Sequence, residues 1–143
     1  MTDNKEILKF FPQPIFKYKV DNYQNWTVWH KDLSVATSRY LELNTNHLEQ
    51  IASHFPTAPT ADEFSVGSAQ VTGGSNSNYL AILWGEKPGV SKAGIVSPPG
   101  NNGSVTLDLG FSTGTKFFMI KRIDANSDWY MFYTDNHIAV GND

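Results

Sequence analysis

The sequence predicts an all-β chain, an antiparallel β-sandwich of jelly-roll or lectin-like type with one short helix. Three observations lead there. Aromatic residues make up 13% of the 143 residues and Asp, Glu, Lys and Arg only 17%, while 11 Gly and 7 Pro punctuate the chain. That balance favours sheets and turns, since helices draw on Ala, Leu, Glu and Lys. Apolar and polar residues alternate in many short runs separated by turn residues, the spacing of strands in a sandwich. The third observation is a hairpin frame that occurs twice.

Shifting the N-terminal segment by 103 positions lays Lys19 on Arg122, Val20 on Ile123, Asp21 on Asp124, Trp26 on Trp129 and Asp32 on Asp135. Each copy reads as a basic residue, a β-branched residue, Asp, a turn-like stretch, Trp and an apolar run. Physically this is a strand, an Asx-type turn and a returning strand opened by a large aromatic. Pseudo-equivalent hairpins are therefore predicted at 15–32 and 118–135. Two copies are too few for a solenoid, so the repeat speaks for a β fold and not for a function.

Residues 1–14 read as an N-terminal arm, since Pro12 and Pro14 stop any helix there. Phe16, Tyr18 and Val20 then alternate with Lys17 and Lys19, which predicts a half-buried strand at a sheet edge guarded by lysines. Trp26, Val28 and His30 alternate with Thr27 and Trp29 in the returning strand. A third strand over Tyr40 to Asn44 puts Leu41 and Leu43 on one side and Tyr40, Glu42 and Asn44 on the other. Asn46 with Glu49 three residues on looks like a helix start, and Leu48, Ile51 and Phe55 keep helical spacing, so the short helix is predicted over 46–55.

Beyond Pro56 the pattern returns to strands and turns. Residues 57–62 read as a loop, Phe64 to Val66 as a short strand and Gly73 to Asn78 as a flexible turn. Tyr79 to Trp84 is apolar on both faces, which predicts a central strand covered on both sides. Ala93 to Ser97 reads as another strand, and the alternation of Val105, Leu107 and Leu109 as one more. Phe117 to Ile123 and Trp129 to Tyr133 form the second hairpin, and 137–143 is a loose tail. No linker divides the chain, so 15–136 is one domain.

With these segments placed, the chain resembles a domain of unknown function that recurs, often in tandem, in structural and tail-fibre proteins of marine tailed phages. The resemblance is carried by Trp26 to Leu33 (WTVWHKDL), Tyr40 to Thr45 (YLELNT), Thr57 to Gly67 (TAPTADEFSVG), Tyr79 to Glu86 (YLAILWGE) and the opening of Gly100 to Trp129. In that family a unit looks to begin at the glycine-asparagine turn and to end at a strand like Tyr79 to Glu86. This chain would then join two partial units in shifted order, closed as a permuted sandwich or completed by strands of a neighbouring subunit. The resemblance implies a virion component and transfers no catalytic residue. Phe11 to Tyr23 (FPQPIFKYKVDNY) is also similar to the opening of phage oxygenases dependent on iron and 2-oxoglutarate.

That second resemblance makes His30-Lys31-Asp32 worth weighing as a His-x-Asp iron pair, with His47, His54 and His137 as candidate third ligands. No Arg follows His137 to hold a cosubstrate carboxylate, and the simpler reading makes His30 a polar-tipped strand residue and Asp32 a turn residue. Ser, His and Asp occur without a nucleophile elbow, and no phosphate-binding loop precedes a helix. With 0 Cys there is neither a thiol nucleophile nor a disulfide framework. The expectation is no enzyme, no metal and no cofactor.

A net charge of -3 and a pI near 5.7 argue against nucleic acid as a partner, because phosphate backbones need a dense basic surface. No apolar run is long enough to span a bilayer, and MTDNKEILKFF lacks the pattern of a secretion signal, so synthesis in the host bacterial cytoplasm is expected. Trp29, Tyr40, Trp84, Tyr130 and Phe132 fall on strand faces away from the expected core or on central strands. They are the candidate interface or glycan-binding residues, if they do not fill a second hydrophobic layer. The expected function is thus structural, in a virion, through homo-oligomers and other virion proteins. A lectin-like module for host-surface glycan is the alternative.

Overall fold

Seven strands form the regular structure of the described residues: β1 (Phe11–Lys19), β2 (Thr27–Trp29), β3 (Arg39–Glu42), β4 (Gln50–Ile51), β5 (Tyr79–Glu86), β6 (Phe117–Lys121) and β7 (Trp129–Tyr133). The computed structural model describes residues 11–19 by their backbone alone, and 24–60, 62–97, 100, 103–112 and 114–133 in full. The predicted arm over 1–10, the turns at 20–23, 98–99 and 101–102, and the tail from 137 lie outside the described residues.

The strands make a five-stranded antiparallel sheet in the order β4-β3-β2-β1-β5 and a separate two-stranded sheet, β6-β7. The repeat survives at the level of register. β1 and β2 pair Ile15 with Trp29, Phe16 with Val28 and Lys17 with Thr27. Shifted by 103, these become Phe118 with Phe132, Met119 with Met131 and Ile120 with Tyr130, all of which are pairs of the β6-β7 ladder. The settings differ, because β1 and β2 each take a further strand and, among the described residues, β6 and β7 take none.

Hydrophobic cover lies on both faces of β2, as successive strand side chains point to opposite faces. Val28, Leu33 and Leu41 form one buried cluster, against which Trp26, Leu43, Met119, Ile123 and Trp129 pack. The second hairpin therefore covers this face. Trp29 and Phe55 form the other cluster, with Ala36, Phe64 and Val66 around it.

Several expectations are corrected by this arrangement. The short helix over 46–55 is not formed, and β4 stands in its place. Its would-be capping carboxylate is engaged elsewhere, since Glu49 accepts from Ser34 N at 2.7 Å and Ser34 Oγ at 2.5 Å. The backbone bonds are non-helical too: Glu49 N donates to Ile123 O at 3.0 Å, Ser127 N to Asn46 O at 2.8 Å and Ala52 N to Ser38 O at 3.1 Å. Long-range partners outweigh the local periodicity, as they do for any marginal helix.

Among the described residues β1 is interior and β5 is at the edge, the reverse of the expectation. Seven residue pairs join β1 to β5, so Lys17 and Lys19 stand on an interior strand. Residues 11–14, read as part of the arm, belong to the sheet. Pro12 and Pro14 are accommodated because the register shifts between Pro12 and Ile15, and a bulge is where a residue without an N–H is tolerated in a sheet. Phe64 to Val66, Ala93 to Ser97 and Val105 to Leu109 are not strands. Phe64 and Val66 are anchored by packing, whereas Val105 and Leu107 are exposed. The turn near Gly73 is hydrogen-bonded and close-packed: Gly73 N donates to Ala69 O at 2.8 Å, and a Cβ on Gly73 would lie 2.0 Å from the Gly67 carbonyl oxygen. No described helix is long and apolar enough to cross a membrane.

Candidate functional site

The five candidate aromatics divide into three groups. Trp29 is 2% exposed and its indole N–H donates to Ala36 O at 2.9 Å, so in this chain it fills the second core cluster. Tyr40 is half-buried and meets the His54 ring edge-on at 4.3 Å between centroids. Neither is presented to a partner as an open face.

Trp84 is 43% exposed and lines an open groove of about 260 Å³ together with Leu43, Asn44, Thr45, Phe117, Met119, Asp128, Trp129 and Met131. The groove lies between β5 and the inner face of the second hairpin. Its walls are aromatic and aliphatic, with the amide of Asn44, the hydroxyl of Thr45 and the carboxylate of Asp128 at hand.

Tyr130 and Phe132 occupy the opposite, outer face of that hairpin. Pairing and alternation put Phe118, Ile120, Tyr130 and Phe132 on this one face. Phe118 stacks on Phe132 with centroids 4.6 Å apart and planes at 16°, and Tyr130 remains 41% exposed. These four neighbouring side chains form a contiguous apolar surface without a charged group.

A polar seam fixes the hairpin to the large sheet, and its centre was not legible as such. Glu42, placed by alternation on the side of its strand opposite Leu41 and Leu43, is buried. Its Oε2 accepts from Thr45 Oγ1 at 2.9 Å and lies 3.0 Å from His47 Nδ1, while its backbone carbonyl accepts from Trp129 Nε1 at 2.8 Å. Burial pushes the Glu42 carboxyl up, but hydrogen bonds from Asn25, Thr45 and His47 together hold it below the usual carboxylate range. Lys121 donates to Ser127 O at 2.5 Å and Thr45 O at 3.4 Å, and its ammonium sits 5.7 Å from the Trp129 ring centroid. Leu48 N donates to Asn126 Oδ1 at 3.0 Å on the same seam.

The His-x-Asp pair is a turn. Asp32 N donates to His30 Nδ1 at 3.1 Å, and Asp32 Oδ2 lies 3.8 Å from that nitrogen. Among the described residues no group of three or more His, Asp and Glu is placed to hold a metal ion; His137 lies outside them.

Residues 7–140 match a family described as a domain of unknown function, DUF7483. The chain belongs to that family. Curated proteins and solved structures return no match. The matched span runs through both hairpins, β1 to β7, in sequence order, whereas the expected unit began at the glycine-asparagine turn and ended at a strand like Tyr79 to Glu86.

A buried histidine, His54, and a half-buried one, His30, predict a loss of stability of this DUF7483 chain in mild acid. His54 is buried with no partner for its Nδ1, and burial holds its pKa below the ordinary 6.5 against the opposing charge of Glu42. Burial also lowers His30, with Asp32 pulling it up, and its Nδ1 must stay unprotonated to accept the Asp32 N–H. A His lowered in the folded state binds its proton in the unfolded chain first. Their stabilisation is therefore full above pH 6.5 and falls away as pH drops below it towards the folded-state values. Glu42, lowered from 4.5, adds a second loss of the same sign below pH 4.5. Urea midpoints measured from pH 8 to pH 4 are expected to fall in these two stages, and His54→Phe is expected to flatten the first.

Proposed function

We propose that this chain is a non-enzymatic structural protein of a tailed bacteriophage particle, a head decoration, neck or tail-appendage component, working by assembly with other virion proteins and with copies of itself. The observation that carries the assembly part is the uncovered apolar face of the second hairpin, Phe118, Ile120, Tyr130 and Phe132, together with the exposed apolar residues of β5. Clusters of this kind are uncommon on a protein that works alone and mark interfaces. The sandwich expected from the strand pattern would be completed on that assembly. The phage setting rests on the resemblance of WTVWHKDL, YLELNT and YLAILWGE to units of structural and tail-fibre proteins. The chain is then made in the host bacterial cytoplasm and resides in the virion, with no nucleic acid, membrane or cofactor required.

Mass spectrometry of purified particles of the encoding phage tests this directly. The chain is expected among the virion proteins at a fixed stoichiometry, and its absence from particles ends the proposal. The groove beside Trp84 favours a second reading, a lectin-like module, because an exposed indole next to amide, hydroxyl and carboxylate groups suits a sugar ring. Host polysaccharide would then quench Trp fluorescence in the wild type and not in Trp84→Ala.

A further inference from the structure

Among the described residues β5 and β6 each lack a neighbour that their own pattern asks for, and one contact supplies both. In the first hairpin, the edge of β1 away from β2 is taken by β5, through Ile15 with Leu83, Phe16 with Ile82 and Lys17 with Ala81. Shifted by 103, those β1 positions become Phe118, Met119 and Ile120, the corresponding edge of β6. Among the described residues β6 pairs with β7 alone, and the side chains of Phe118 and Ile120 are exposed.

β5 has the complementary deficit. Apolar residues on both of its faces are the pattern of an interior strand, yet β1 is its one ladder partner among the described strands. Leu80 and Ile82 on one face and Leu83 on the other are exposed. Residues 80–84 of β5 and 117–120 of β6 carry no charge, so over these stretches neither edge has the lysine or glutamate that natural sheets use to repel a neighbour, and the charges of the two strands, Glu86 and Lys121, stand at their ends.

We infer that β5 of one copy pairs edge to edge with β6 of a second copy, so that the second copy's β6-β7 hairpin extends the first copy's five-stranded sheet. The pairing makes β5 an interior strand and gives β6 the neighbour that β1 already has. The two sides of the contact differ, so it repeats from copy to copy and forms a ring where the rotation closes. This narrows the assembly reading to named strands and rests on it only in requiring a partner chain.

Sedimentation velocity of the full chain tests it. The wild type self-associates as concentration rises, and Ile82→Lys and Ile120→Lys each abolish this while leaving far-UV circular dichroism unchanged. Mixing the two variants restores a heterodimer, because Ile82→Lys keeps an intact β6 and Ile120→Lys an intact β5. A wild type that stays monomeric, variants that still assemble, or a mixture that does not pair overturns the inference. A symmetric β6 to β6 contact could not be rescued by mixing and is overturned with it. Should either variant unfold, hydrogen exchange of the wild type decides: amides of 118–121 not bonded to β7 gain protection with concentration, and no gain overturns the contact. Detection of the chain in virions is unaffected by any of these results, so the two proposals fail separately.

Discussion

Trp29→Ala is expected to lower the free energy of unfolding by about 3–5 kcal/mol, the range for removing a large buried aromatic. The indole is 2% exposed and packs on Phe55, which is 1% exposed. Its loss opens a cavity between β2 and the segment that carries Phe64 and Val66. It also leaves the part-buried Ala36 carbonyl without the donor it has at 2.9 Å, and the lost hydrogen bond adds to the loss. Urea denaturation followed by circular dichroism gives the magnitude. Trp29→Phe should recover much of the packing but not the hydrogen bond, leaving a deficit of about 1 kcal/mol. If Trp29→Ala left the urea midpoint unchanged and altered only glycan binding or self-association, the core assignment would be wrong.

That expectation also shows why pattern reading divides the aromatics poorly. Alternation predicts that Trp29 faces away from Val28, and it does. It does not tell that the segment from Phe55 to Val66 folds back to cover the second face. Local geometry was the more legible part: the shared frame of the two hairpins reappears as identical pairing register, because strand alternation and a Trp after a turn fix which residues oppose each other. Neighbours in space were less so. Alternation puts Glu42 opposite Leu41 and Leu43 and says nothing of what meets it there, yet Asn25, Thr45 and His47 gather around its carboxylate. Asn46 and Glu49 have the spacing of a helix cap, yet each is bonded to a distant segment. β5 has the composition of a central strand and lies at an edge, the mismatch from which its pairing with a second copy is inferred.

Trp129→Ala is expected to act on a different part of the molecule, releasing the second hairpin before the large sheet melts. An isolated two-stranded hairpin is marginal in water, so β6 and β7 owe their order to docking. Trp129 supplies that docking in two ways at once. Its ring packs with Met119 and Ile123 on the Val28, Leu33 and Leu41 cluster, and its N–H donates to Glu42 O. As Trp129 is only partly buried, its removal should lower stability by about 2–4 kcal/mol, of which the hydrogen bond is about 1. The remaining seam bonds, Ser127 N to Asn46 O, Glu49 N to Ile123 O and Leu48 N to Asn126 Oδ1, tie the turn, and the strands keep the 3.4 Å contact of Lys121 Nζ with Thr45 O. Hydrogen exchange should then quicken most across 117–121 and 129–133 and much less at Val28 and Leu41, which β2-β3 pairing still holds. Trp129→Phe keeps the ring contacts and should lose only the share of the hydrogen bond. Uniform acceleration through both sheets would mean that the hairpin and the large sheet unfold as one unit, and that the seam at Glu42 is not a boundary within the fold.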